Sequence, residues 1–448
     1  MDDWRLVRRY AVPEWMVAEC AEARERGDWR AACEAARVDV GFDEAGPAAQ
    51  LLAGFAPDLL RWHLPRSRSG SAALVAGMRY VLTPDGPVGP DTVVLEVRSP
   101  LWTSSSQRLT LDAVRAGDLA EGPVVPLPPY LWDARRTGEL RAAVQGGAGG
   151  SVEAWTSAGW LIDEVGTDVL GLADPLLAAL ELRRVAAQFG RSSVQLRVDY
   201  RRPRRRPTSH LCLEVAGDQL RVTRRPDGPG PELCLHPALL RPLVSEALFP
   251  AEAPPAAGSL VPDGFAEGER IRVRCGTQWH WVGLRGGRLE LPHHTEDERR
   301  RELALLAFGG AIGGCFRAEI AWHGDGEGMP KRLREYRRDL WRRMEHGGSR
   351  VVLALLDAGM DPHVRDAAGR TLLHRIHQFE HAELLPRLLA EGLDVNAVSR
   401  RGYTPMCEAV VHSAPHDLLM TLNDAGAIPR LSLMDPRSWP NGGRPALM

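Results

Sequence analysis

The stretch Asp366-Ala-Ala-Gly-Arg-Thr-Leu-Leu-His374 is echoed by Ser399-Arg-Arg-Gly-Tyr-Thr-Pro-Met-Cys407. Gly369 returns as Gly402 and Thr371 as Thr404, a period of 33 residues. Gly359 and Asp361 return in step as Gly392 and Asp394. Apolar pairs fill the interval. Leu384, Leu385, Leu388 and Leu389 fall on one face of a helix, and Val352, Leu353, Leu355 and Leu356 form an earlier face. A helix pair of this length cannot bury such a face alone, so neighbouring units must stack. A threonine at the first helix start can cap it, worth about 1 kcal/mol. The pattern predicts a short all-α stack over residues 331–430 of about three units, close to the minimum for stability. The first unit, with Leu340 and Trp341 in its first helix, is expected to act as a cap. Residues 431–448 are expected to form a tail.

The array resembles the ankyrin repeat family. The resemblance lies in Gly369-x-Thr371-x-Leu373-His374, His381-x-Glu383, Leu388-Leu389 and Gly392-x-Asp394-Val395-Asn396-Ala397. The next repeat keeps Gly402, Thr404, Pro405, Ala409, Leu418, Leu419, Gly426 and Ala427, but carries Cys407 where the family usually has His. The resemblance covers about residues 331–428. It implies that partners meet the hairpin tips and the exposed first-helix positions. Those positions are Ala367, Ala368, Arg370, Gln378 and Phe379, then Arg400, Arg401, Tyr403, Val411 and His412. Aromatic residues and arginine are enriched where protein interfaces are buried. The alternative is an array that only covers a larger domain. His374, His377 and His381 lie at a spacing that could suggest a metal face, but the resemblance assigns His374 and His381 to internal hydrogen bonds.

The remainder is expected to be α+β with a mainly antiparallel sheet, in two regions, 1–122 and 130–325. Residues 14–25 and 29–37 predict an αα-hairpin broken at Gly27-Asp28. Strand patterns occupy 77–83, 92–98, 107–112, 193–200, 211–215, 219–223, 270–276 and 279–284, with a hairpin arm at 288–291. Helices are expected over 130–144 and 172–189. Prolines at 123, 126, 128 and 129 suggest a linker between the regions. Thr295 with Glu298 forms a capping box, which predicts a helix over 296–307. Residues 315–322 are expected to add a strand.

Composition narrows the function. The 448 residues carry 56 Lys and Arg against 58 Asp and Glu, a formal charge of −2, which disfavours nucleic acid as the principal partner. Lys331 is the only lysine. The run Arg201-Arg-Pro-Arg-Arg-Arg-Pro207 could grip phosphate through Arg204, Arg205 and Arg206, although a solvated turn explains it more simply. No apolar run is long enough to span a bilayer. The seven cysteines are scattered, with no C-x-x-C pair, so neither a disulfide framework nor a zinc knuckle is expected. His293-His294 are expected to be loop residues. Trp279-His-Trp281 places two indoles on one strand face, expected in the core. No nucleophile elbow, zincin motif or phosphate loop occurs, so no catalytic residue, metal or cofactor is assigned. The expectation is a cytoplasmic, non-enzymatic scaffold or adaptor that binds a protein. The alternatives are an enzyme or effector domain in 1–325 recruited by the array, and a nucleic-acid-associated protein using 201–207.

Overall fold

A computed structural model describes residues 5–67, 71–139, 151–162, 173–196, 210–217, 219–225, 231–240, 259–263, 265, 268–324, 326 and 328–429. The chain forms two units. One comprises residues 1–103 and 108–258, the other 104–107 and 259–448. The division thus falls at 258/259, not at the expected 122–130. No helix among the described residues is long and apolar enough to cross a membrane.

The first unit opens with the expected αα-hairpin, α1 (Glu14–Glu25) and α2 (Trp29–Ala35). Gly27 turns the chain at φ 70°, and the Asp28 carboxylate then accepts from the Ala31 N–H. Ten strands follow: β1 (Val38–Val40), β2 (Arg79–Leu82), β3 (Val93–Arg98), β4 (Leu109–Arg115), β5 (Gly122–Leu127), β6 (Trp160–Leu161), β7 (Ser193–Leu196), β8 (His210–Ala216), β9 (Gln219–Arg225) and β10 (Pro231–Leu235). They align in the order β1-β4-β3-β2-β5-β10-β7-β8-β9-β6.

The sheet is mixed, with long antiparallel ladders joined by short parallel ones. β2–β3–β4 and β7–β8–β9 are antiparallel. The pairs β1–β4, β2–β5, β5–β10, β10–β7 and β6–β9 are parallel. Local hairpins betray antiparallel pairs in a sequence, whereas parallel partners lie a crossover apart. The proline-rich linker is likewise a strand. In β5, residues 122–124 pair with β10 and residues 125–127 pair with β2. Each half of β5 has one ladder partner, so a proline lacking its N–H is tolerated. The helix expected at 130–144 is replaced over 129–136 by two 3-10 turns, Pro129–Leu131 and Ala134–Arg136.

Helices α3 (Pro57–His63) and α4 (Pro175–Phe189) complete this unit's frame. Asp174 caps α4, Pro175 takes its first position, and Gly190 ends it at φ 61°. Trp155 and Trp160 meet edge to face at 5.1 Å in a core with Leu182, Val194, Leu213 and Val222.

In the second unit β11 (Glu269–Cys275), β12 (Gln278–Arg285) and β13 (Arg288–Glu290) form an antiparallel meander. Helix α5 (Glu296–Ala307) follows, with the reciprocal Thr295–Glu298 capping box in place. Residues 314–323 are helix α6 (Gly314–His323), not the expected strand. Cys315, Phe316, Ala318, Ala321 and Trp322 are all buried, a helical spacing that strict alternation cannot produce. Helix α7 (Lys331–Asp357) is broken at Gly348 (φ 73°, ψ −167°) into two helices. A 3-10 turn (Leu373–Gln378), α8 (His381–Ala390), α9 (Pro405–Val411) and α10 (His416–Asp424) complete three stacked helical pairs. Leu355, Leu384, Leu388, Leu418 and Leu422 are buried among them.

Candidate functional site

The turns that open the second and third helical pairs are fixed by polar groups of the repeated stretch. Asp366 receives the Ala368 and Arg370 N–H groups, while its own N–H bonds the Arg370 carbonyl at 2.9 Å. Gly369 occupies the tip at φ 71°. The Ser399 N–H bonds the Tyr403 carbonyl at 2.9 Å in the same way, one period later. Adjacent tips are tied by the Arg400 N–H to the Ala368 carbonyl at 3.0 Å. Arg365 reaches the Val398 carbonyl at 3.2 Å, a bond across one repeat period.

His374 joins two units from inside. Its Nδ1 accepts the Thr371 N–H at 3.1 Å and lies 2.8 Å from Thr371 Oγ1, and its Nε2 lies 3.0 Å from the Tyr403 carbonyl. A neutral ring with the proton on Nε2 satisfies the backbone partners. Burial pulls the His374 pKa below the ordinary imidazole value. In the next unit Thr404 caps α9 through the Cys407 N–H, and its hydroxyl lies 3.3 Å from Cys407 Sγ. His374, His377 and His381 do not form a metal face. His374 and His377 lie in the 3-10 turn, whereas His381 opens α8 and approaches Asp417 at 3.5 Å.

Between the tips and the second helices lies a charged network. Arg370 and Arg375 both pair with Asp366, and Arg370 reaches Glu408 at 4.0 Å. Burial pushes the Asp366 carboxyl up, but the two guanidiniums beside it hold it below the ordinary carboxylate value. Glu408 is held low against the same burial penalty by its hydrogen bond to His412 and by Arg370. His412 also stacks on buried His377, with ring centres 4.5 Å apart. Arg375 lies over the Trp341 ring at 5.7 Å.

The expected partner-contact residues separate into two groups. Ala367, Arg400 and Arg401 are exposed, and Ala368, Arg370, Tyr403, Val411 and His412 are half-buried. Gln378 and Phe379 are buried, at 1% and 6% exposure, which corrects their expected place on an open surface. Phe379 is a buried apolar residue at the end of the 3-10 turn. Gln378 meets Ser104. Its Nε2 donates to the Ser104 carbonyl at 2.7 Å, and Ser104 Oγ lies 3.1 Å from His412 Nδ1. A short segment distant in sequence is thus held through its backbone and hydroxyl by two of the residues singled out for partner contact. Nothing in the sequence signals this pairing.

One other expectation lies outside the described residues, and one changes. Arg204, Arg205 and Arg206 lie outside the described residues. Trp279 and Trp281, expected in the core, are 58% and 43% exposed. Arg272 on the neighbouring strand lies over both indoles, at 5.3 and 5.5 Å. Arg270, Arg272 and Arg274 alternate with buried Ile271 and Val273, so this sheet face is cationic and aromatic. The sequence reading assigned no metal ligands, whereas the fold brings Cys275, His280, His294 and Cys315 together.

Part of the chain is similar to a known protein. The chain is 32% identical over 85 residues to ankyrin repeat-containing protein P1E11.10 of Schizosaccharomyces pombe (strain 972 / ATCC 24843). The chain carries an ankyrin-like region. The match spans 19% of this chain and 41% of that protein, so it covers less than half of the relative. No family profile matches the chain. The ankyrin likeness supports a protein-interaction module at most.

Proposed function

We propose that the three helical pairs between Lys331 and Asp424 are the ankyrin-like region, and that the protein is a non-enzymatic scaffold or adaptor whose array binds a protein partner. The observation that carries this reading is the grip on Ser104. Gln378 donates to the Ser104 carbonyl, a group every peptide presents, and His412 Nδ1 lies 3.1 Å from the Ser104 hydroxyl, a group that serine- or threonine-containing peptides present. Exposed Arg400 and Arg401, with half-buried Tyr403 beside them, extend the contact surface from the same turns. Arginine and tyrosine are residue types that carry binding energy at interface centres. A cytoplasmic setting with reduced thiols accords with seven free cysteines, six of them buried.

The test uses the full chain. Arg400→Glu combined with Tyr403→Ala should abolish retention of a specific co-purifying protein from the native host, while the melting profile stays unchanged. Retention of the same proteins by the folded variant overturns the assignment of this face. Capture that instead fails when Arg204, Arg205 and Arg206 are replaced by Glu, and is sensitive to nuclease, supports the nucleic-acid-associated alternative that uses 201–207.

A further inference from the structure

Cys275 ends β11 and His280 lies on β12, joined by a turn at Gly276 with φ 62°. The register pairs Cys275 with Gln278 and Val273 with His280, so Cys275 and His280 are diagonal neighbours. Residues 271, 273 and 275 alternate to the same face as 280, 282 and 284, the face that buries Ile271, Val273, Val282 and Leu284. His294 precedes the Thr295 cap of α5, and Cys315 is the second residue of α6. Sγ of both cysteines and one ring nitrogen of each histidine all lie within 4.8 Å of one another. His280 Nδ1 stands 2.9 Å from His294 Nε2, which stands 3.7 Å from Cys275 Sγ.

We propose that these four side chains bind one zinc ion as a structural Cys2His2 centre. The ligand set is the one tetrahedral zinc favours, with Zn–S near 2.3 Å and Zn–N near 2.0–2.1 Å. Those bond lengths make tetrahedral edges of about 3.3–3.8 Å, so the observed cluster closes with shifts of about 1 Å. Two thiolates balance the charge of the cation.

Three further features fit this assignment. Each histidine turns its remaining ring nitrogen to an outer acceptor. His294 Nδ1 lies 3.6 Å from Glu298 Oε2, and His280 Nε2 lies 3.5 Å from Gln278 Oε1. Such outer partners set the tautomer that leaves the inner nitrogen free to ligate. Secondly, Gly314 has φ 60°, and a Cβ there would stand 2.6 Å from the Cys275 Cα. Only glycine permits the approach that delivers Cys315 to Cys275. Thirdly, α5 buries none of its side chains. The excursion from 295 to 314 therefore lacks a core of its own, and the two ligands at its ends would staple it to the meander. Small units of this size commonly need such a staple.

The measurement is the metal content of the full-length protein, purified with a thiol reductant and without chelator. About one Zn²⁺ per chain is expected, and chelator-stripped protein should bind Co²⁺ with the visible and thiolate bands of tetrahedral S2N2 coordination. Cys315→Ser and His280→Ala should each reduce bound zinc about tenfold or more, whereas His293→Ala should keep it. A ligand variant that fails to fold is replaced by a measurement on the wild type. There, Zn²⁺ should protect Cys275 from alkylation and its removal should expose it, while buried Cys20, Cys33, Cys212, Cys234 and Cys407 stay unchanged. Negligible zinc with no Co²⁺ uptake overturns the proposal. So does a disulfide between Cys275 and Cys315 in freshly isolated protein, or full zinc retention in the folded Cys315→Ser variant.

Discussion

Replacing His374 by Ala tests the stacked-pair reading at its most connected residue. The imidazole is fully buried and bonds Thr371 in its own turn and Tyr403 in the next unit. Truncation leaves the buried Thr371 N–H without its acceptor, a loss of about 1–3 kcal/mol. The half-buried Tyr403 carbonyl can recover part of its bond from water. The vacated ring space adds a packing penalty, as large-to-small changes in cores do. The sum should be about 2–3 kcal/mol. Because the chain has two units, one global unfolding energy would not resolve this. Native-state hydrogen exchange does so, because it reads opening segment by segment. Protection across residues 366–411 should fall about 30- to 140-fold, the conversion of 2–3 kcal/mol at 1.4 kcal/mol per decade. The sheet of the first unit should keep its protection. Loss of less than about threefold would refute the inter-unit role of His374, and equal loss in both units would refute the local one. Acid supplies a second arm. The folded pKa of His374 lies below the ordinary value, so the unfolded segment takes up its proton first as pH falls. Stability is complete above the unfolded pKa and is lost on acidification below it. His374→Ala should remove one histidine's share of that slope, at most about 1.4 kcal/mol per pH unit.

Two further outcomes concern the first unit. His63 on α3 is buried with neither ring nitrogen partnered among the described residues, and burial lowers its pKa from 6.5 to about 3. Acidification from pH 6.5 to pH 5 should cost about 1.6 kcal/mol through this group, and urea midpoints against pH should show a shallower fall in His63→Leu. The Tyr130 hydroxyl donates to Glu181 Oε1 at 2.9 Å, joining the turn after β5 to α4. Tyr130→Phe should cost about 1.5–3 kcal/mol in urea denaturation, as loss of a buried hydrogen bond to a charged acceptor does, and an unchanged midpoint would show the contact to be idle.

The helical array was legible because its information is local and repeated. The apolar spacing of 384–389 joins residues within two turns of one another, and the 33-residue period repeats such a local pattern. The sheet was legible only strand by strand. Its hairpins β2–β3 and β7–β8 pair neighbours, but β5 finds β2 and β10, and residues 104–107 meet Gln378 and His412, through long closures that leave no periodic trace. The prolines of β5 looked like a boundary because a strand paired on one side per half tolerates them. Only the pairing reveals that.

The meander shows how little separates a legible site from a hidden one. Alternation alone puts Cys275 and His280 on the face of Ile271, Val273, Val282 and Leu284, and it also puts Trp279 and Trp281 on the opposite face. The indoles were assigned to the core because aromatic residues usually bury, yet strict parity makes that impossible once Val282 and Leu284 take the inner side. One correction therefore does two things. It moves the tryptophans out beside Arg272, and it moves His280 in beside Cys275. The remaining ligands, His294 and Cys315, carry no such signal, because a cap and a left-handed glycine deliver them rather than a ladder. Conformational parity at a hairpin is thus worth testing before residue type is used to choose a strand's buried face.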